Sequence, residues 1–189
     1  MNPRIAQELW FDTSDDVRLF YRYWPGSKPQ GLLLLHRGHE HSGRLQHIVD
    51  EINLPDHAMF AWDARGHGLS PGARGDSPSL ARSIRDLDDF ARHICSTHGI
   101  AIEHLAILAQ SVGSVIATGW VHDYAPKIRG MVLAAPAFSV NLYVPFARLG
   151  LGLMYAAFGN FFVQSYVKAK LLTHDPARIA SYETDPLIT

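Results

Sequence analysis

The sequence has few of the features that mark several large classes of protein. Its 189 residues include a single cysteine, Cys95, so it cannot form an internal disulfide and lacks the Cys and His spacing of a structural zinc site. Seventeen Lys and Arg residues balance eighteen Asp and Glu residues, which leaves no general positive field to attract nucleic acid. The N-terminus has no basic region followed by an apolar core, as a secretory signal would. These absences predict a cytoplasmic protein that does not bind nucleic acid.

The composition is that of one globular domain. Hydrophobic residues make up 47% of the chain and charged residues 19%, which excludes intrinsic disorder. One uncharged stretch, Leu149 to Val167, approaches the length that spans a bilayer. Its glycines lower helix propensity, and Asn160 and Gln164 would place polar groups in lipid. We therefore expect a buried or lipid-contacting segment rather than a transmembrane helix.

Hydrophobic periodicity predicts strands that alternate with helices. The predicted strands are Glu8 to Phe11, Val17 to Trp24, Gly31 to His36, Ala58 to Asp63, Leu105 to Ala109 and Met131 to Ala135. The predicted helices are Gly43 to Ile52, one capped by Ser77 with Pro78 at its first position, and Gly113 to Tyr124. The first two strands form a hairpin, and the others predict a mainly parallel sheet with helices on both faces.

The alternation stops after Phe138. The remaining sequence is aromatic and helical in character, with no further strand, as expected for a lid over an apolar pocket. The chain is therefore expected to divide into an α/β core over residues 1–138 and a partial cap over residues 139–189.

The segment Ala109-Gln110-Ser111-Val112-Gly113 falls where a predicted strand meets a predicted helix. Small residues on both sides of a serine at such a turn are typical of a nucleophile elbow, usually written G-x-S-x-G. Ala109 replaces the first glycine and Gly113 keeps the second. The alternative is a serine that merely caps an ordinary helix.

Two further segments follow predicted strands. The loop LHRGHEHSGR at residues 35–44 occupies the position that supplies one oxyanion-hole N–H, and the residue after the serine supplies the other. We therefore name Gly38 and Val112 as the two expected donors. The segment DARGHGLS at residues 63–70 is expected to have a structural role.

These three segments together resemble the α/β-hydrolases of the monoacylglycerol lipase and lysophospholipase group, which are serine aminopeptidase-like. That group has H-G-x-G-E-H-S-G-R in the first loop, D-x-x-G-H-G-x-S after the next strand and G-H-S-M-G at the elbow. The matching positions are His36, Glu40, His41, Ser42, Gly43, Arg44, Asp63, Gly66, His67, Gly68, Ser70, Ser111 and Gly113. The late segment Asp185-Pro186-Leu187-Ile188 also resembles part of the group's cap.

The resemblance implies an α/β-hydrolase fold and hydrolysis of a monoacyl lipid or related carboxylic ester through an acyl-enzyme on Ser111, without metal or cofactor. It also points to residues that could contact the substrate. Those beside the oxyanion hole and the serine are His36, Arg37 and Gln110, and those in the cap are Tyr143 and Phe146.

The sequence also departs from the group. Arg37 and His39 replace glycines beside the oxyanion position, which makes this loop bulkier and more polar and leaves the substrate range open. The same loop is similar to that of larger bacterial proteins in which such a hydrolase is joined to a methyltransferase.

The group places the acid and the histidine of the catalytic triad after the cap, and this chain has no matching position for either. His122 lies about 16 Å along the helix that Ser111 opens, too far for a hydrogen bond. His174 beside Asp175 is a conceivable substitute dyad, although His-Asp-Pro is also an ordinary helix start. We therefore expect a fragment that lacks the C-terminal part of the fold and is inactive alone.

Two other functions stay open at this point. His36, His39 and His41 with Asp63 could form a metal site, although the spacing H-x-x-H-x-H is not a known ligand pattern. The chain could instead be a non-catalytic lipid-binding or interaction module. An exposed edge strand at Met131 to Ala135 could pair with a second copy, and the cap could contact a membrane surface.

Overall fold

A computed structural model describes residues 3–139, 146–159 and 169–189. The described residues group into two compact units, residues 1–138 with 187–189, and residues 139–186. The division predicted from the sequence, at residue 138, stays a prediction about domains.

The first unit is built on one six-stranded sheet. Its strands are β1 (Gln7–Asp12), β2 (Arg18–Trp24), β3 (Gly31–Leu35), β4 (Ala58–Trp62), β5 (Leu105–Gln110) and β6 (Gly130–Ala134). The strand order is β1-β2-β4-β3-β5-β6. The first two strands form the predicted antiparallel hairpin, and β2 pairs antiparallel with β4. The remaining pairs are parallel, which confirms the predicted mainly parallel sheet.

Helices cover both faces of the sheet, as predicted. The helices of the first unit are α1 (Gln46–Glu51), α2 (Leu80–His98) and α3 (Val112–Tyr124), with 3-10 turns at Ser42–Leu45 and Ile102–His104. Leu33 and Leu35 pack on one face with α2 and α3, whereas Leu32 and Leu34 pack on the other with α1. Every residue of β3 is buried, because side chains of a central parallel strand alternate between two covered faces.

The start of α2 differs from the prediction. Ser79, not Ser77, is the N-cap, and its side chain accepts a hydrogen bond from the N–H of Arg82. Pro78 therefore lies outside the helix. The Ser77 hydroxyl instead contacts the Ser83 hydroxyl at 2.8 Å. Ser77-Pro78-Ser79 offers two serines with the same capping chemistry, and only the path of the chain selects between them.

The strand β6 lies at the edge of the described sheet. It pairs with β5, and no described strand lies on its other side. Val132 is 61% exposed, so the edge carries apolar surface. Exposed apolar edges are sites of strand pairing, and pairing with a second copy stays a prediction.

The second unit is helical in its described part. It contains α4 (Ala147–Phe158), a 3-10 turn at Ala169–Leu171 and α5 (Pro176–Glu183). Asp175 caps α5 by accepting hydrogen bonds from the N–H groups of Ala177 and Arg178. Among the described helices, none is both long and apolar enough to cross a membrane.

Candidate active site

Ser111 occupies a sharp turn between β5 and α3. Its φ of 54° and ψ of −116° lie in a region that non-glycine residues rarely adopt, at a cost of about 1–3 kcal/mol. The turn is held because the Ser111 N–H donates to the carbonyl of Ala134 at 2.9 Å. Its own carbonyl accepts from the Ser114 N–H at 3.0 Å, which starts the helix. This strand, strained turn and helix form the geometry that the sequence predicts for an elbow.

The small residues beside Ser111 are required by close packing. A Cβ added to Gly113 would lie 2.7 Å from the carbonyl oxygen of His36, so α3 can approach the end of β3 only with glycine there. Ala109 is fully buried in the core. The alanine that replaces the usual glycine therefore fits without displacing the turn.

The two expected oxyanion donors lie on adjacent segments. A Cβ on Gly38 would be 3.5 Å from Cγ2 of Val112, which places the loop after β3 against the start of α3. Val112 is the first residue of its helix, where a backbone N–H has no partner within the helix. Within residues 3–139, 146–159 and 169–189, neither N–H has an acceptor. Two unsatisfied donors beside a strained serine can stabilise a negatively charged oxygen.

His36 holds this loop in place through both ring nitrogens. Nδ1 lies 2.7 Å from the carbonyl of Arg37 and must donate to it, so Nε2 accepts from the Ala64 N–H at 3.0 Å. Burial lowers the pKa of His36 and so favours the neutral ring, whose tautomer is fixed by these two hydrogen bonds. The ring is buried with both nitrogens engaged. These hydrogen bonds hold the loop, and contact of His36 with the substrate stays a prediction.

Asp63 joins the same loop to the loop after β4. Its Oδ1 accepts from the Ser42 N–H at 2.6 Å, and its Oδ2 accepts from the Leu69 N–H at 2.8 Å. A Cβ on Gly68 would overlap the Asp63 carboxylate, so glycine is required there. The segment at residues 63–70 thus has the structural contacts expected from the sequence.

We expect His67 to lower the stability of the protein in acid. Burial is the main cause that lowers the pKa of His67 from 6.5 to about 4. The folded state therefore binds this proton more weakly than the unfolded chain, and stability falls as the pH drops below about 6.5. At pH 5 we expect a loss of about 2 kcal/mol from this group.

Chemical denaturation of wild-type protein and the His67→Asn variant at pH 7 and pH 5 tests this expectation. Asn keeps a donor near the Arg65 carbonyl, which His67 Nδ1 contacts at 3.0 Å, but it does not titrate. The variant should therefore lose less stability between the two pH values. His122→Asn, at an exposed position, should behave like wild type. Equal pH dependence in all three proteins would contradict the expectation.

The other predicted substrate contacts have different surroundings. Arg37 forms an ion pair with Glu40 at 2.6 Å, and Gln110 is the half-buried last residue of β5. In the second unit, Phe146 is 84% exposed. Tyr143 lies outside the described residues. These four residues stay candidates for substrate contact.

No histidine among the described residues is hydrogen-bonded to Ser111. In the described part of the chain, the Ser111 hydroxyl has no hydrogen-bond partner. His122 pairs with Asp123 at 2.8 Å, and its side chain is 85% exposed far along α3. The Asp175 carboxylate caps α5, and the substitute dyad of His174 and Asp175 stays a prediction.

The alternative metal site also finds no support. Among the residues that the structure describes, no three His, Cys, Asp or Glu side chains are grouped so that they could hold a metal ion. The nitrogens of His36 and the carboxylate of Asp63 are instead used by backbone N–H and carbonyl groups.

Sequence reasoning missed two sets of contacts around the site. One is a buried ion-pair network of Arg65, Asp86 and Arg82 under the loop after β4. The other is the contact of His39 with Thr189, whose only sequence signal is a histidine where the resembling group has glycine.

Comparison with known proteins identifies the family and the fold. Residues 27–189 match the family model described as Hydrolase_4, serine aminopeptidase S33. The protein YnbC of Escherichia coli K12 is 57% identical over 100% of this chain and 33% of its own length. The monoacylglycerol lipase of Mycolicibacterium smegmatis is 27% identical over 91% of this chain and 61% of its own length.

Solved structures share the fold. A soluble variant of the Saccharomyces cerevisiae monoglyceride lipase aligns with a TM-score of 0.78 and 20% identity, over 100% of this chain and 64% of that chain. The chain thus spans a third of YnbC and about three fifths of these two lipases. With its strand order, its elbow and the family match over residues 27–189, the chain belongs to the serine aminopeptidase S33 family of α/β-hydrolases.

Proposed function

We propose that the protein is a serine hydrolase that cleaves carboxylic esters, with Ser111 as its nucleophile. The observation that carries this proposal is the strained Ser111 turn beside two backbone N–H groups that have no acceptor among the described residues. In this reaction, Oγ of Ser111 attacks the carbonyl carbon of the ester. The oxyanion that forms would be held by the N–H groups of Gly38 and Val112.

The proton and the leaving group complete the scheme. A base takes the Ser111 proton and returns it to the leaving alcohol, and water then hydrolyses the acyl-enzyme by the same route. No described residue is hydrogen-bonded to the Ser111 hydroxyl as such a base would be, and the matched relatives are longer than this chain. The proposal therefore concerns the whole natural protein, and we expect residues 1–189 alone to lack turnover.

A monoacylglycerol- or lysophospholipid-like ester is the substrate that we propose. Two lipase relatives support this class, one by sequence and one by structure. The second unit supports it too, because α4 and the residue before it carry exposed apolar side chains. These are Phe146, Leu149, Leu153, Met154, Tyr155 and Phe158. Such a surface suits an acyl chain or peripheral contact with a membrane, and we propose a cytoplasmic location.

Labelling with a fluorophosphonate tests the role of Ser111. We expect the whole protein to form a covalent adduct, located by mass spectrometry on the peptide that contains Ser111. The unfolded protein should not react, because an ordinary serine hydroxyl is a poor nucleophile. Turnover of a monoacylglycerol without such an adduct would contradict the proposal.

The exposed apolar side chains of α4 support one second candidate, a lipid-binding module with an inert serine. This function predicts that a fatty acid binds to the whole protein without ester turnover. Phosphonate treatment would then leave binding unchanged and produce no adduct. The same experiment therefore separates the two functions.

A further inference from the structure

His39 occupies a backbone position that favours glycine. The Glu40 N–H donates to the Arg37 carbonyl at 3.3 Å, so Gly38 and His39 are the central residues of a four-residue turn. His39 is the second of these and has a φ of 68°. Turns of this kind usually place glycine there, because a side chain is disfavoured at positive φ. The resembling group does have glycine, so the histidine must be held by other contacts.

Three hydrogen bonds to Thr189 hold the turn, and the longest joins the Thr189 hydroxyl and Nδ1 of His39 at 3.4 Å. The Thr189 N–H donates to the His39 carbonyl at 3.1 Å, and Nδ1 of His39 donates to the Thr189 backbone oxygen at 2.9 Å. A backbone group and a side-chain group of the same residue are thus tied to one short segment. We call this set of hydrogen bonds between His39 and Thr189 the His39 clamp.

Arg74 anchors the other side of that segment. Its guanidinium donates to the carbonyl of Leu187 at 2.9 Å and to the carbonyl of Gly68 at 2.7 Å. Residues 187–189 belong to the same compact unit as the turn. The His39 clamp therefore fixes the turn to a segment that is itself attached to the loop after β4.

The clamp acts on the residue that we propose as an oxyanion donor. Gly38 precedes His39 in the turn and lies against Val112, as its 3.5 Å approach to Cγ2 shows. A rotation of the turn would change where the Gly38 N–H points, and an oxyanion hole depends on donors held in place before the reaction. We propose that His39 is a positioning residue that holds the Gly38 N–H for catalysis through its clamp to Thr189.

This inference rests on the proposed function, and the experiment separates the two. The whole natural protein is assayed with p-nitrophenyl butyrate as His39→Gly, His39→Asn, His122→Asn and Ser111→Ala. Glycine removes the side-chain bond, whereas asparagine tolerates positive φ and carries an amide donor near the position of Nδ1. Hydrogen–deuterium exchange of peptides covering residues 36–41 reports on the clamp without any turnover.

We expect His39→Gly to lower kcat by about 10- to 100-fold with KM within about threefold, less than the loss of a whole oxyanion donor. Exchange of residues 36–41 should be faster in this variant. His39→Asn should recover both values to within about threefold of wild type, and the exposed His122→Asn should match wild type. Melting temperatures check that every variant is folded.

The outcomes are distinct. If Ser111→Ala is inactive while His39→Gly keeps wild-type kcat and exchange, the clamp has no positioning role and the inference is wrong. If Ser111→Ala retains full activity, the proposed function fails, and the catalytic role of His39 fails with it. Faster exchange without any change in kcat would also overturn the inference, because the clamp would then be structural only.

Discussion

Ser111→Ala should lower kcat for a monoacylglycerol by at least about 10⁴-fold in the whole protein, with a melting temperature close to that of wild type. The acyl-enzyme route needs an oxygen nucleophile at this position, and alanine removes it. What survives the loss of a serine nucleophile is the contribution of the oxyanion hole and substrate binding. Alanine keeps the Cβ atom of Ser111 and removes only the hydroxyl, so the backbone of the turn should be unchanged. Steady-state release of fatty acid measures the effect.

Ser114→Ala is the matched control. Ser114 lies three residues further along the chain, and its buried hydroxyl donates to the Ala109 carbonyl at 2.9 Å. Its loss should lower stability by about 1 kcal/mol and leave kcat within about threefold of wild type. A Ser111→Ala variant with more than a tenth of wild-type kcat would refute the nucleophile assignment.

Asp86→Ala should lower the free energy of unfolding by about 3 to 5 kcal/mol. Asp86 is 1% exposed, and its two carboxylate oxygens accept from Nε and Nη2 of Arg65 at 3.0 Å and 2.9 Å. Nε of Arg82 also donates to it, at 2.8 Å. The pKa of Arg65 is raised chiefly by its hydrogen bonds to Asp86, so the guanidinium stays charged. Alanine would leave the buried Arg65 charge with one acidic partner among the described residues, the partly exposed Asp15.

Chemical denaturation followed by circular dichroism measures the loss. Asp123→Ala removes an exposed carboxylate that pairs with His122, and it should change stability by less than about 0.5 kcal/mol. The double variant Arg65→Ala/Asp86→Ala should lose less than the sum of the two single variants, because neither charge is then left alone. If the loss of stability in the double variant equals the sum of the two single losses, the interaction between Arg65 and Asp86 contributes little to stability.

The alternation of strands and helices could be predicted because local hydrophobic periodicity reports on burial. Gly31–Leu35 is a continuous apolar run, and the structure buries all of it. Helix α3 begins one residue before the predicted start, at Val112. The cap of α2 could not be predicted, because Ser77 and Ser79 are chemically equivalent candidates.

The elbow could be predicted from five residues, because a tight strand-to-helix turn needs small neighbours on both sides of the serine. Gly113 meets that need directly, since the carbonyl of His36 lies 2.7 Å from where its Cβ would be. The hydrogen bonds of His36 could not be predicted, because its partners Arg37 and Ala64 are backbone groups whose positions depend on the paths of two loops.

The sequence by itself determined the kind and order of the elements in the first unit and the place of the serine, because these depend on residues near one another in the chain. The strand order was decided only in three dimensions. It sets β3 beside β5 and so brings Gly38 against Val112. The contact of His39 with Thr189 joins residues 150 positions apart, and no local pattern encodes such a pair. The His39 turn has a strained backbone, and such a turn persists only where other groups of the folded chain hold it by hydrogen bonds.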